Sequence, residues 1–136
     1  MAVAVRLANG PLTAEILGIY VRARWLVLRR GVIPAVPLLR EDVEGVPAET
    51  FDEERLRTSL RLGRAVMKVL RVLPADGRCL MRSLVLTGLL ARRGVYGTVV
   101  IGVSPAPAFA AHAWVEVDGQ AVLPSLEPEY QRLTEI

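Results

Sequence analysis

The sequence predicts an α+β domain in which helices come first and a small antiparallel sheet follows. Apolar residues recur at helical spacing in three segments before residue 95, whereas β-branched and alternating residues dominate after residue 97. The length of 136 residues suits one domain, 1–136, and a hydrophobic content of 52% excludes a disordered chain. We expect residues 1–49 to form a basic helix and a connector, and residues 50–136 to form the core.

The first predicted helix covers residues 13–30, with Thr13 as its N-cap and Gly31 as its stop. Arginines and one glutamate interrupt its apolar run, so it is too polar to span a membrane. A basic amphipathic helix can lie on a membrane surface or against a partner protein, although packing on its own domain is the more common outcome. Residues 31–49 contain three prolines and two glycines, which predict a connector without regular structure.

The second predicted helix begins at Thr50, which has the capping-box spacing to Glu53, and it ends before Pro74. A run of seven acids and no base extends from Glu41 to Glu54. This run either faces the arginine-rich helices or forms a solvated loop.

The third predicted helix carries the only cysteine. Asp76 is its expected N-cap, so Cys79 is its third residue, and the helix runs to Arg93 before Gly94 stops it. Apolar residues lie nearly all round this helix, which indicates burial at the centre of the domain. The N–H groups and positive dipole end at a helix N-terminus stabilise a thiolate and can donate to an oxyanion, so Cys79 suits a nucleophile. A lone cysteine on an apolar helix is nevertheless more often a small buried side chain.

Three strands are predicted after the third helix. They cover Thr98–Ile101, Ala111–Val117 and Gln120–Leu123, with a loop over residues 104–109 and a tight turn at Asp118–Gly119. The last seven residues of the chain fit either a strand or a helix.

The only histidine, His112, lies near the start of the second predicted strand. A lone histidine in a strand is usually structural. A helix packed on a sheet can nevertheless bring His112 to Cys79 across the helix–sheet interface, and such a pair is the minimum machinery for thiol acyl transfer or peptide hydrolysis. Alternation along the strand places His112, Trp114 and Glu116 on one face, and Ala113, Val115 and Val117 on the other.

Residue counts and charge exclude several classes of protein. One cysteine and one histidine allow no internal disulfide, Cys-rich zinc site or HExxH pair, and no Gly-rich phosphate loop is present, so we expect no metal and no cofactor. Residues 1–94 carry 16 basic and 9 acidic groups, against 1 and 5 in residues 95–136. The arginines are spread singly along apolar helices, which favours solvated helix faces over a nucleic-acid surface. A free thiol without a signal peptide predicts a cytoplasmic location.

The most specific signal is an ordered set of segments, namely Leu73–Pro74, Arg78–Leu84, Leu89–Val95, Val100–Val103 and Ala111–Gly119. In this order they resemble the transglutaminase-like cysteine protease of lasso-peptide biosynthesis, over about residues 50–136 and more loosely over the basic helix. The resemblance implies a papain/transglutaminase-type fold that removes the leader from a ribosomal precursor peptide. It also implies two partners, a small leader-binding protein (a RiPP recognition element) and an ATP-dependent lasso cyclase.

On the matching positions, the resemblance makes Cys79 the nucleophile and His112 the general base and acid. The family pattern also expects an aspartate about a dozen residues beyond the histidine, where this chain has no acid. Asp118 and Glu116 are nearer, but the rise of a strand separates them from His112 by about 20 Å and 13 Å.

The residue opposite His112 depends on the register of the predicted hairpin. A two-residue turn places Ser125 there, and a one-residue bulge places Leu126 there instead. Glu127 is the nearest downstream acid and can fold back as the third catalytic member, whereas Ser125 or a backbone carbonyl can orient His112 in its place. Loss of an orienting group lowers activity without abolishing it.

Three further residues are expected near a substrate. Trp114 and Phe109 can wall a groove, and Arg78 can stabilise a thiolate or bind a peptide acid. The ordinary alternatives are that Trp114 is a core residue, that Phe109 belongs to a surface loop and that Arg78 is solvated. Two other functions stay open, namely a related acyl transferase acting on another peptide and a peptide-binding scaffold without turnover, which the missing acid motivates.

Overall fold

Helices precede a four-stranded antiparallel sheet in the computed structural model, which confirms the predicted α+β class. The structure describes residues 2–40, 53–72, 78–104, 110–123 and 131–136. The helices are α1 (Ala2–Arg30), α2 (Val32–Leu39), α3 (Glu53–Val69), which a short 3₁₀ turn (Leu70–Val72) extends, and α4 (Arg78–Arg92). The strands are β1 (Thr98–Ser104), β2 (Ala110–Val117), β3 (Gln120–Leu123) and β4 (Gln131–Glu135).

The sheet has the strand order β3-β2-β1-β4. β2 and β3 form the predicted hairpin, and its turn residues Asp118 and Gly119 have φ of 52° and 79°. Two successive positive φ angles are typical of a type I′ turn, which matches the twist of a hairpin. The sequence of the last segment fitted either a strand or a helix. In the structure this segment forms β4, which pairs with β1.

The cysteine-bearing helix α4 is the centre of the core, as predicted. It packs against α1, α2, α3, β1 and β2. Burial of side chains around most of the helix explains why its apolar residues follow no single stripe. Its fully buried residues include Leu84, Val85, Leu86, Leu89 and Leu90.

The predicted start of the first helix at residue 13 is wrong. Helix α1 begins at Ala2, so Thr13 lies inside the helix and does not cap it. Pro11 is also inside, although an interior proline removes a backbone hydrogen bond and clashes with the preceding turn. Beyond it, packing stabilises α1 through a buried stripe of Ile16, Ile19, Ala23 and Leu26.

The predicted irregular connector is wrong in its first part, because residues 32–39 form α2. Pro34 lies in the first turn, where an N–H group needs no partner within the helix. Burial of Ala35, Val36 and Leu39 stabilises the helix despite the interior Pro37. Residues 41–52, with the proposed Thr50 cap and most of the acidic run, lie outside the described residues.

Glu15 joins α1 to the C-terminal end of α4. Its carboxylate accepts hydrogen bonds from Arg93 at 2.7 and 2.9 Å and lies 2.9 Å from Nε of Arg92. The hydrogen bond from Arg93 lowers the pKa of Glu15 below its ordinary value of 4.5. A carboxyl with a lowered pKa contributes stability above its unfolded pKa and loses that contribution as the pH falls through its folded pKa.

We therefore expect Glu15→Gln to lower the free energy of unfolding at pH 7 by about 1 kcal/mol through loss of these ion pairs. The effect is no larger because both arginines are partly solvated, and solvent screening weakens their attraction to the carboxylate. The difference from the wild type should shrink below about pH 4.5 as the wild-type carboxylate takes up its proton. Urea unfolding of the wild type and the variant at pH 7 and pH 3 measures this difference in the free energy of unfolding. An equal difference at both pH values would contradict this assignment.

None of the helices in the described ranges is long and apolar enough to cross a membrane.

Candidate active site

Cys79 is the second residue of α4, one position earlier than predicted, and its side chain is partly exposed. The hydroxyl of Ser83 donates to the carbonyl oxygen of Cys79 at 2.8 Å, which secures the first turn of the helix. The first-turn N–H groups of a helix have no intrahelical acceptor, so they can serve a ligand. Arg78 is the first residue of α4, whereas the proposed cap Asp76 lies outside the described residues.

The chain reverses direction directly after α4. Gly94 has a φ of +75°, and the N–H groups of Gly94 and Val95 donate to the carbonyls of Ala91 and Leu90, each at 2.9 Å. This is the Schellman motif, which ends a helix with a left-handed residue. It confirms the stop at Gly94, although the helix itself ends at Arg92.

After the reversal, the chain runs back along α4. Gly97 is buried against the helix, since a Cβ built on it would lie 3.9 Å from Cα of Thr87 and 3.1 Å from Cδ1 of Leu90. The same Cβ would lie 3.1 Å from Cγ1 of Val115 on β2. Val115 is therefore level with the C-terminal half of α4.

This connectivity leads us to expect Cys79 and His112 at the same end of the α4–β2 pair. Because the chain reverses at Gly94, β1 should run toward the N-terminus of α4, and β2 pairs antiparallel to β1. Cys79 precedes Thr87 by about 12 Å of helix rise, and His112 precedes Val115 by about 10 Å of strand rise.

The predicted division of β2 into two faces is confirmed. Val115 and Val117 belong to the buried cluster that contains the leucines of α4. His112 lies on the opposite face, where its ring contacts that of Trp114. A contact with Cys79 thus has to pass the edge of β2 rather than cross the helix–sheet interface, and in the described part of the chain β3 pairs with β2 only over Val115–Val117.

Trp114 contacts and helps to orient His112. The two ring centroids are 6.2 Å apart with an interplanar angle of 24°, within the range of an offset stack. Nε1 of Trp114 donates to a carboxylate oxygen of Glu116 at 2.9 Å. Sequence reasoning set Glu116 aside as too distant from His112, but the structure connects it to the imidazole through the indole. The spacing of two between these residues was the available signal.

Other acids near the predicted site have different roles or lie outside the described residues. A carboxylate oxygen of Asp118 accepts hydrogen bonds from Arg55 at 3.1 and 3.3 Å, which joins the hairpin turn to α3. The β2–β3 ladder shifts by one residue between Val115 and Glu116, the kind of bulge considered for Leu126. Phe109, Ser125, Leu126 and Glu127 lie outside the described residues, so their roles stay predictions. The described residues contain no group of three or more potential metal ligands.

A central helix thus carries a cysteine in its first turn, and the antiparallel sheet that follows carries a histidine. A family model described as the transglutaminase-like superfamily matches residues 17–136, and the chain belongs to this superfamily. The comparison with curated proteins and the comparison with solved structures returned no match.

Proposed function

We propose that the chain is a cysteine peptidase that removes the leader from a ribosomally synthesised lasso-peptide precursor. The observation that supports it is a transglutaminase-like core in which Cys79 is near the start of α4 and His112 is near the start of β2. The lasso-peptide substrate comes from the resemblance of the segments around both residues.

In the proposed reaction, His112 takes the proton of the Cys79 thiol and the thiolate attacks the scissile carbonyl carbon. N–H groups in the first turn of α4 donate to the oxyanion of the tetrahedral intermediate. His112 then protonates the leaving amine, and a thioester remains on Cys79. Water, deprotonated by His112, hydrolyses the thioester and releases the leader with a new carboxyl group.

A separate leader-binding protein suits a domain of this size, because a small domain has little surface for a deep specificity pocket. Such a partner would raise the local concentration of the scissile bond. The ATP-dependent cyclase would act afterwards on the released core peptide.

The test combines the purified chain, a candidate precursor peptide and its leader-binding protein, with mass spectrometry of the products. Hydrolysis predicts a leader fragment and a core peptide whose masses sum to that of the precursor plus one water. If added glycine ethyl ester instead appears covalently on the leader at the expense of hydrolysis, the activity is acyl transfer to an amine. An intact precursor in every mixture would overturn the peptidase proposal.

A peptide-binding scaffold without turnover is the second candidate. It is favoured by the location of His112 on the sheet face opposite to the α4 contact, stacked on Trp114. In a scaffold, the imidazole need not activate the thiol at all.

Alkylation of Cys79 by iodoacetamide separates the two candidates without a substrate, because the chain has only one cysteine. The peptidase predicts that His112→Ala slows alkylation at pH 6.5 by roughly tenfold, since a thiolate and not a thiol reacts. The exposed Gln120→Ala on β3 is the control and should leave the rate unchanged. Equal rates in His112→Ala and the wild type would favour the scaffold.

A further inference from the structure

The outer face of α1 carries an exposed apolar ridge, formed by Leu17, Val21, Trp25 and Leu28. Their side chains are 42%, 66%, 54% and 78% exposed, whereas the opposite face of the helix is buried in the core. Ile33 on α2 is also 70% exposed and follows closely in the chain. Apolar side chains that cluster on one surface indicate a site of interaction.

The ridge is a narrow seam. Its residues are spaced by four, four and three positions, so at about 100° per residue they span an arc of about 80° and a length of about 16 Å. By the same rotation, Arg24 lies on one side of the ridge, and Arg22 and Arg29 lie on the other side. An apolar seam with charges on both sides is the pattern of helix-on-helix association in coiled coils.

The basic side chains beside the ridge are exposed and part of its surface. Nη2 of Arg22 donates to the carbonyl oxygen of Leu38 at 3.1 Å, and the guanidinium of Arg29 lies 5.8 Å from the ring centroid of Trp25. Between Leu17 and Arg30 the chain contains four arginines and no acid. Among the described residues, the charged side chains beside the ridge are therefore all positive, which favours an acidic partner.

We propose that the ridge binds an amphipathic helix of a protein partner, with an apolar stripe against the ridge and acidic residues against its arginines. A second copy of this chain fits less well, because it would bring like charges together. A lipid bilayer would attract the same apolar and basic side chains, so vesicle binding is one outcome of the test. The proposal does not depend on the proposed peptidase activity.

The probe is a fluorescently labelled helical peptide of three heptads, with leucines at the a and d positions and glutamates at e and g. Glutamates at these positions keep the peptide from pairing with itself. A matched peptide has lysines in place of the glutamates. Binding to the full chain is measured by fluorescence anisotropy at low salt, and thermal unfolding verifies that each variant is folded.

The acidic peptide should bind the wild type at least roughly tenfold more tightly than the lysine peptide, because their charges meet the arginines with opposite sign. Val21→Ser combined with Leu28→Ser should weaken that binding by roughly tenfold through loss of apolar contact. The same loss is expected for Arg24→Gln with Arg29→Gln, but not for Arg61→Gln with Arg64→Gln, an exposed pair on α3 that changes the net charge equally.

Four results would overturn the proposal. The first is equal weakening by both arginine pairs, and the second is equal binding of both peptides. The third is recruitment of the chain to phosphatidylglycerol vesicles without binding of the acidic peptide. The fourth is self-association in sedimentation that disappears when Val21 and Leu28 are replaced by serine, which would make a second copy the occupant.

Discussion

The Cys79→Ala variant is expected to release no detectable leader, a fall in kcat/KM of about 10⁴-fold or more. Alanine has no nucleophile, and the remaining oxyanion donors at the start of α4 can supply only a residual acceleration. Cys79 is partly exposed in the first turn of α4, so replacement of its side chain should leave the fold intact. The measurement is leader release by mass spectrometry beside the circular dichroism of both proteins.

His112→Ala is the companion variant, with an expected loss of about 10² to 10⁴-fold, because the thiol loses its general base. The losses in kcat/KM should not be additive in the Cys79→Ala, His112→Ala double variant, since both residues act in the same chemical step. Equal release by Cys79→Ala and the wild type would overturn the peptidase. Binding without release in the wild type and both variants would support the scaffold.

Gly63→Ala is expected to lower the free energy of unfolding by about 3 kcal/mol. Gly63 is buried in α3, where a Cβ would collide with the carbonyl oxygen of Val122 and lie 3.2 Å from its carbonyl carbon. The obstacle is the backbone of β3, which cannot rotate away as a side chain can. The higher helix propensity of alanine, about 1 kcal/mol, is too small to offset this clash.

Gly18→Ala is the matched control for this change. Gly18 is also helical, but it is exposed on α1 and a Cβ there would meet nothing within 4 Å. Alanine at this position should raise stability by about 0.5 to 1 kcal/mol, because it restricts the unfolded chain and favours the helix. Urea unfolding of both variants measures the contrast. A similar effect of the two substitutions would contradict the close packing of α3 on β3.

The sequence predicted the parts of the fold that depend on local chemistry. The Gly94 stop and the turn at Asp118 and Gly119 were correct because left-handed residues leave a clear local signal. The alternation of β2 was correct because a strand that is buried on one face has a period of two. The second residue of α4 was identified as a candidate nucleophile because a helix N-terminus is chemically distinctive.

The errors came from long-range packing. Three prolines predicted an irregular connector, but two of these prolines lie within α2. Burial of Ala35, Val36 and Leu39 stabilises this helix. Apolar contacts of α2 with α1 and α4 outweigh the local preference of its prolines. Helix α1 continues through Pro11 although its local signals predict a start at residue 13.

By itself, the sequence determined the α+β class and the order of α1, α3, α4 and the first three strands, and it indicated two candidate catalytic residues, since periodicity and residue chemistry are local properties. Only the tertiary structure decided that the chain reverses after α4 and packs Gly97 between that helix and β2. It also decided that the histidine stacks on Trp114 rather than facing the helix, and that an apolar face of α1 stays exposed between Leu17 and Leu28. These properties depend on which surfaces of distant segments meet, and that is a property of packing rather than of local sequence.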